Sequence, residues 1–336
     1  MNYIIKKEDL PKFLELLKKK FDDVIVPVKN ETDATCFQSY SGQEIFLDAR
    51  TDFSAKEFFR PAKEKIFSFK KKSTSFEIKP EYDTTKKVLF GVRPCGTHSL
   101  KALDELFIKF YGEDQFYSSR RKNTVIIAFQ CNKACENGFC TSMGTSQATG
   151  HDLLFIERGH DFFVRAETEQ GSNLIFPEIF KHTSDAEPSS KIECENELDT
   201  QDIEENLYSN FNHPVWKEES ERCLSCTSCT QSCPTCYCYT SNDEFVFGSN
   251  NECERFRSLD SCQLKRFTKV AGNHVFRPSR EGRLRQFVLH KLSYYKEHHG
   301  VHLCVGCGRC ITACPVNISL VDIANKIQKN PTEHLK

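Results

Sequence analysis

The chain has 336 residues, with 46 basic and 47 acidic side chains and a formal net charge of −1. This balance shows neither the basic surplus of a nucleic-acid-binding protein nor the acidic surplus of a disordered one. No apolar run approaches the roughly 20 residues that span a bilayer, and the start lacks the apolar segment of a signal peptide. We therefore expect a cytoplasmic protein of about two domains, with no nucleic-acid partner and no membrane insertion.

The first half of the sequence has the pattern of an α/β domain. It begins with a predicted amphipathic helix whose apolar residues are Leu10, Phe13, Leu14, Leu17 and Phe21. Residues 86–92 and 123–129 are predicted to be short buried strands. Between them we expect a helix with Thr97 as its N-cap and Gly112 at its end. Residues 152–167 predict a hairpin that turns near Gly159.

The second half is rich in cysteine and has helical patterns. Residues 182–205 are polar and acidic, and we interpret them as the connection between two domains, with room for a weak helix. Helices are predicted over 281–300, where Gly300 closes the helix, and over 318–330. The predicted fold class is α+β, with an α/β domain over residues 1–205 and a mainly helical domain over residues 206–336.

Eighteen cysteines are too many for an ordinary cytosolic chain of this length. Where thiols are kept reduced, clustered cysteines more often bind metal or carry out redox chemistry than form disulfides. Two runs follow C-x2-C-x2-C-x3-C with a proline next, which is the spacing of bacterial ferredoxins. The runs are Cys223, Cys226, Cys229, Cys233 and Cys304, Cys307, Cys310, Cys314.

Each run is expected to serve two clusters, because three cysteines on a tight turn hold one cube and the fourth reaches the other. One 4Fe–4S cluster is assigned to Cys223, Cys226, Cys229 and Cys314, and a second to Cys304, Cys307, Cys310 and Cys233. The second domain is then predicted to be a ferredoxin-like dicluster domain. The alternative is a zinc-stabilised interaction module, although zinc sites usually consist of two separated pairs of ligands.

Four further cysteines predict a third metal site in the first half, namely Cys95, Cys131, Cys135 and Cys140. Cys95 and Cys131 each follow a predicted strand. If the two strands are parallel neighbours, both thiols emerge at the edge of the sheet where α/β folds bind ligands. The alternative is a mixture of buried and loop thiols. His98 is a further possible ligand, but a histidine on a helix surface is the ordinary interpretation.

The remaining cysteines have no standard spacing. Cys236, Cys238 and Cys262 are either a further metal site or redox-active thiols, or they pack around the clusters as small buried hydrophobes. Cys36 and Cys194 are expected to be structural. The segment "FRPSREGRLRQ" carries four arginines, which form either a docking surface for an acidic partner or a flavin phosphate, or the solvated start of a helix.

Several stretches together resemble one protein family. They include "LFGVRPCGTHSLKALDELF", "RRKNTVIIAFQCNKACENGFCTSMGT", "NHPVWKEESERCLSCTSCTQSCPTCYCYT" and "HLCVGCGRCITACPVNI". The family comprises the iron–sulfur β subunit of cytoplasmic nickel–iron sulfhydrogenases and the corresponding iron–sulfur subunit of anaerobic sulfite reductase. The resemblance covers most of the chain from about Phe53 onward, and its motifs fall outside the ferredoxin runs as well as within them.

The resemblance implies an electron-transfer subunit with three 4Fe–4S clusters and no catalytic site of its own. Its implied partners are a flavoprotein subunit that handles NAD(P)H and a catalytic subunit, either a nickel–iron hydrogenase or a sirohaem sulfite reductase. The stretch "TSQATGHDLLFIERGHDFFVRAETEQG" resembles the hydrogenase side of the family. The chain has no glycine-rich dinucleotide or phosphate loop, so nicotinamide and flavin are expected to bind elsewhere.

Within this resemblance, Cys95, Cys131 and Cys140 match positions expected to bind the cluster of the first domain. Relatives often have cysteine at the position of Gly138, which leaves Cys135 as the candidate for the fourth ligand. An alternative function is an enzyme in which an open iron, or the group of Cys236, Cys238 and Cys262, reduces a substrate.

Overall fold

The computed structural model of the chain describes residues 1–110, 112–249 and 251–332. Its strands are β1 (Asn2–Lys6), β2 (Asp23–Lys29), β3 (Thr35–Ser39), β4 (Lys63–Lys71), β5 (Phe76–Pro80), β6 (Lys87–Val92), β7 (Thr124–Phe129), β8 (Leu153–Arg158), β9 (Asp161–Ala166), β10 (Lys181–His182), β11 (Tyr239–Phe245) and β12 (Glu252–Leu259). Its helices are α1 (Leu10–Lys18), α2 (Pro94–Asp104), α3 (Gln115–Lys122), α4 (Glu169–Ser172), α5 (Ile203–Ser209), α6 (Val215–Arg222), α7 (Ser228–Gln231), α8 (Arg280–Leu289), α9 (Tyr295–His299), α10 (Arg309–Thr312) and α11 (Leu320–Lys329). None of the described helices is long and apolar enough to cross a membrane.

An eight-stranded sheet forms the centre of the first half, in the order β10-β1-β9-β8-β7-β6-β2-β3. Its middle strands β2, β6, β7 and β8 are parallel neighbours. This confirms the two predicted strands, and their parallel pairing is the condition under which Cys95 and Cys131 emerge at one edge. Every residue of β7 is buried, as expected for a strand that is covered on both faces. The chain leaves β6 just before Cys95 and β7 just before Cys131, at the same edge of the sheet.

Other predicted elements are confirmed with shifted ends. The hairpin is β8 and β9, with Gly159 at a φ of 56° in the turn. The long helix at 281–300 is α8, a π-helical turn (His290–Tyr294) and α9, closed by Gly300. The predicted N-cap Thr97 is wrong, because α2 already begins at Pro94. Proline favours the first turn of a helix, where its fixed φ fits and its missing N–H is not needed.

A second sheet joins distant parts of the chain, in the order β11-β12-β4-β5. β12 pairs antiparallel with β4, which precedes it by nearly 200 residues. The expectation of a mainly helical second half included neither β11 nor β12, because charged and polar residues in both obscure any apolar alternation. The boundary near residue 205 stays a prediction, and this sheet crosses it.

An apolar core joins the two halves, and another fills the cysteine-rich half. α2 and the residues around Tyr295 and Leu303 pack on one face of the large sheet, and the Tyr295 hydroxyl donates to the carbonyl of Ala102 at 2.7 Å. In the cysteine-rich half, α6, α8 and α11 pack around the fully buried Trp216 and Val288. The long helix therefore contacts α2 at its end and the cysteine runs along its length.

A buried ion network ties the base of the second sheet to α3. Glu64 is 4 % exposed and accepts hydrogen bonds from Arg120 and from Nε and Nη2 of Arg257, the latter two at 3.0 and 2.6 Å. Arg257 also donates to the carboxylate of Asp114. Removing one member of a buried network leaves its partners desolvated and unpaired, which is costly.

Replacing Glu64 with glutamine is expected to lower the free energy of unfolding by about 3 kcal/mol, because two buried guanidinium groups lose their shared carboxylate. Urea unfolding of the chain, followed by circular dichroism, measures the loss. The control is Glu244→Gln, since Glu244 pairs with Lys63 where both side chains are half exposed. That change is expected to cost less than about 1 kcal/mol. Equal losses in the two variants would contradict this account.

Candidate metal centres

The four cysteines predicted for the first cluster line one cavity, which we call the first cavity. They are Cys223, Cys226, Cys229 and Cys314. Cys310 also borders this cavity, and its other walls include apolar side chains of α8 and α11. Cys226 is the exposed cysteine of the eighteen, so this cavity lies next to the protein surface.

The four cysteines predicted for the second cluster also line a common cavity, the second cavity. They are Cys233, Cys304, Cys307 and Cys310. Cys233 comes from the first run and lies among cysteines of the second run, while Cys314 makes the reverse crossing at the first cavity. The structure therefore brings the two runs together in the crossed arrangement that the spacing predicts.

Both runs bend through the same pair of left-handed turns. Ser225 and Thr227 have φ values of 52° and 73°, and Gly306 and Gly308 at the same offsets in the second run have 62° and 72°. Non-glycine residues rarely adopt this conformation. The two turns let three cysteines of each run face one cavity, which extended backbone would not allow.

The third predicted set lines a third cavity, and its members are Cys95, Cys131, Cys135 and Cys140. Gly138 forms part of the same wall, and a side chain at that position would lie 3.6 Å from the Cβ of Cys135. A side chain at position 138 would therefore lie next to the side chain of Cys135. His98 instead bonds the carbonyl of Gln147 at 2.9 Å, and burial lowers its pKa.

The three cavities share walls in series. Cys310 borders the first and the second cavity, and Cys307 borders the second and the third. The second cavity is thus the middle one, and the cysteine runs line the whole series. Phe287 and Leu320 also border both the first and the second cavity.

The chemistry of the cysteines fits iron–sulfur clusters. Burial raises the pKa of Cys229, Cys304 and Cys131 to about 12 each, so these groups keep their protons unless a metal replaces them. Among the described residues, no three His, Cys, Asp or Glu side chains converge closely enough to hold a single metal ion. The thiolates of a cube bind separate irons and so lie farther apart than the ligands of one zinc ion.

Comparison with known proteins identifies an iron–sulfur family over the part of the chain that contains both cysteine runs. The family described as 4Fe-4S dicluster domain matches residues 222–318. Sulfhydrogenase 2 subunit beta of Pyrococcus furiosus is 32 % identical over 98 % of this chain and 99 % of its own length. The chain belongs to the family of sulfhydrogenase β subunits.

A second relative is more distant than this sulfhydrogenase β subunit. The F420-dependent formate dehydrogenase subunit beta of Methanocaldococcus jannaschii is 24 % identical over 75 % of the chain. The chain spans about half of that relative's length, 55 %. No solved structure matches the chain.

A buried arginine contacts cysteines of the second and third sets in this sulfhydrogenase-type β chain. Arg309 is 4 % exposed, donates from Nη1 to the Sγ of Cys95 at 3.6 Å, and donates from Nε to the carbonyl of Thr51 at 2.8 Å. Its charge also acts on Cys307. Since a guanidinium stays protonated, one permanent positive charge is fixed between two cysteine sets.

Two buried lysines, Lys291 and Lys56, lie beside the second set of cysteines. Lys291 lines the second cavity, is 3 % exposed and donates to the Thr235 hydroxyl at 2.8 Å. Lys56 donates to the carbonyl of Cys233 at 2.7 Å. Sequence reasoning did not single out Arg309 or either lysine, because a single cation carries no local pattern.

The three extra cysteines lie beside the cavities and are absent from the walls described above. Cys236 and Cys238 pack against the apolar core of the cysteine-rich half, and Cys262 is buried within it. A hydrogen bond with Cys262 lowers the pKa of Cys238 to about 7. The packing interpretation therefore accounts for their positions, and their role as ligands stays a prediction.

Cys194 lies close to Cys140 of the third set, a contact that the sequence analysis did not predict. Its Sγ lies 3.8 Å from that of Cys140, although the two are more than 50 residues apart. It was expected to be structural, because no local spacing pairs it with another cysteine. Cys135 is among the described residues that line the third cavity, and Cys194 is not.

The third cavity is closed by backbone packing. The N–H of Phe139 donates to the carbonyl of Gly306 at 2.8 Å. A Cβ on Gly308 would lie 2.3 Å from the carbonyl oxygen of Asn137, closer than atoms can approach. The glycines of the second run therefore leave room for the loop of residues 135–140. This loop supplies two of the four cysteines of the third set.

Replacing Gly308 with alanine is expected to displace this loop, since the added methyl group overlaps Asn137. We expect a loss of about 2–4 kcal/mol in unfolding free energy, which adds overpacking to the cost of a left-handed alanine. Anaerobic urea unfolding measures it. Gly300→Ala is a matched control, because Gly300 has the same φ of 72° and nothing within 4 Å. A control as damaging as Gly308→Ala would contradict the packing argument.

Proposed function

We propose that the chain is an electron-transfer subunit that relays electrons through three 4Fe–4S clusters. The single observation that carries this proposal is the series of three cysteine-lined cavities that share Cys310 and Cys307 as walls. Electron tunnelling needs closely spaced centres, and neighbouring cavities with a common residue provide them. Bound clusters supply reversible one-electron chemistry.

The proposed ligand sets are those that line each cavity. The first set is Cys223, Cys226, Cys229 and Cys314, the second is Cys304, Cys307, Cys310 and Cys233, and the third is Cys95, Cys131, Cys135 and Cys140. The match to a dicluster domain over residues 222–318 supports the first two sets. The third set is supported by geometry alone.

The protein's own residues fix positions and tune potentials. Apolar side chains of α8 and α11 form part of the wall of the first cavity, and an apolar wall of this kind alters reduction potentials. Arg309 and Lys291 hold positive charge beside the second set, which favours the reduced and more negative state of any cluster there. The middle centre is thus suited to accept an electron from either side.

The proposed partners are a flavoprotein subunit that handles NAD(P)H and a nickel–iron hydrogenase catalytic subunit, assembled in the cytoplasm. The relatives are named as β subunits of a sulfhydrogenase and of a formate dehydrogenase, which supports membership of a multi-subunit oxidoreductase. The nearly full-length match to the sulfhydrogenase subunit favours hydrogenase over the sulfite reductase branch of the family.

The full chain purified without oxygen is expected to contain about twelve irons and twelve sulfides, as three cubes require. Cys131→Ser is expected to reduce the count to about eight, because it removes one ligand of the third cavity. Iron and sulfide analysis, together with electron paramagnetic resonance after reduction, checks both values. Zinc without iron would refute the proposal.

Two control variants test whether a loss of iron is specific to the proposed ligands. Cys36→Ser changes a thiol on β3 that borders none of the three cavities, and it is expected to retain about twelve irons. Cys194→Ser is also expected to retain them, because Cys135 and not Cys194 lines the third cavity. Loss of four irons in Cys194→Ser but not in Cys135→Ser would reassign the fourth ligand.

Replacing Arg309 with methionine is expected to lower a reduction potential, because a positive charge between the second and third sets is lost. We expect a shift of about 59 mV, a tenfold change in the ratio of reduced to oxidised clusters for a one-electron couple. Redox titration monitored by electron paramagnetic resonance measures it. Arg309→Lys keeps the charge and should shift less. Unchanged titration curves at full iron content would contradict the tuning role.

A further inference from the structure

A basic surface flap lies next to the loop that supplies the first set of cysteines. It comprises residues 264–280, which contain five cations and no acidic residue. The cations are Lys265, Arg266, Lys269, Arg277 and Arg280. Since the whole chain has a net charge of −1, this concentration of one sign is local and creates a positive field on one part of the surface.

The flap is a folded element and not a loose loop. Lys269 and Val275 form an antiparallel bridge, and the N–H of Val270 donates to the carbonyl of His274 at 2.9 Å. The buried guanidinium of Arg283 donates to the carbonyls of Arg277 and Pro278 at 3.2 and 2.8 Å. The charges are therefore held in a defined arrangement.

The flap is joined directly to the loop that supplies the first set of cysteines. Nη1 of Arg280 donates to the carbonyl of Cys223 at 2.8 Å, and Arg283 donates to the hydroxyl of Ser225 at 3.3 Å. Beside them lie the exposed Cys226 and Leu224, which is 61 % exposed. Positive charge thus adjoins the cavity that is closest to solvent.

Neighbouring carboxylates neutralise little of this charge. Asp260 lies 3.6 Å from Arg266, and Glu281 pairs with Arg285 of α8. Among the described residues, no carboxylate forms an ion pair with the other four cations of the flap. Phe276 and Val270 add exposed apolar area, at 66 % and 47 % exposure. Small redox interfaces combine an apolar centre with surrounding charges that guide encounter.

We propose that this flap docks an acidic electron-carrier protein, which exchanges one electron with the cluster of the first cavity. The inference rests on the proposed function, because it requires a cluster there. One electron leaves the cofactor of the carrier, a low-potential iron–sulfur or flavin protein, and reduces the cluster, or the reverse. No covalent bond or proton is exchanged.

The test measures electron transfer from a reduced, acidic bacterial ferredoxin to the oxidised full chain by anaerobic stopped flow. The variant carries Lys265→Glu, Arg266→Glu and Lys269→Glu, all at exposed positions. We expect the second-order rate constant at low salt to fall by at least about tenfold, because electrostatic steering is lost. The wild-type rate is expected to fall with rising salt, and the rate of the variant is expected to respond less.

The matched control reverses three exposed lysines of α1 and its end, with Lys12→Glu, Lys18→Glu and Lys19→Glu. It has the same net charge as the flap variant and is expected to stay within about twofold of the wild-type rate. Equal losses in both variants, or a wild-type rate that ignores salt, would overturn the docking proposal. The single change Lys269→Gln provides a milder test if the triple variant folds poorly.

Iron analysis and reduction by dithionite separate this proposal from the function on which it rests. A wild-type chain without iron would overturn both. Suppose instead that wild type and flap variant both contain full iron and are reduced normally by dithionite. Equal rates of electron transfer from ferredoxin in the two proteins would then overturn the docking site alone. Full iron together with a selective loss of the ferredoxin rate would support the flap as the docking site.

Discussion

The close approach of two backbone segments is the constraint on which the rest of the arrangement depends. The loop of residues 135–140 lies directly against Gly306 and Gly308 of the second cysteine run. This contact joins the α/β half to the cysteine-rich half at the point where two cavities meet. Any side chain at Gly308 would separate them. The series of cavities is therefore a property of both halves, and neither contains it alone.

The two cysteine runs show how one backbone shape tolerates different residues. The first run makes its left-handed turns with Ser225 and Thr227, near the surface, while the second makes them with glycine under a packed loop. Conformation sets a preference for glycine in both places, but only close packing makes glycine necessary. Burial also explains the cations, since Arg309 and Lys291 offset negative charge where water cannot.

Local sequence patterns predicted the central strands, the long helix and the grouping of the cysteines. Cysteine spacing gave the crossed sets, because tight turns make spacing in sequence equivalent to proximity in space. The parallel strands before Cys95 and Cys131 followed from apolar runs and led to the third cavity. Features that depend on distant packing were not predictable, and these include the pairing of β12 with β4, the approach of Cys194 to Cys140, and Arg309. In each, the partners are far apart in sequence and carry no periodic signal.

The position of Cys307 has a consequence for the order of events during synthesis. The thiols at 95–140 leave the ribosome long before Gly306 and Cys307, which complete the wall of the third cavity. At 5–20 residues per second, the delay is roughly 10–30 s. Throughout that interval four thiols stay without their closing wall while the chain is still nascent. The proposed third cluster can therefore be enclosed only late in synthesis, and until then its four cysteines lack one side of their cavity.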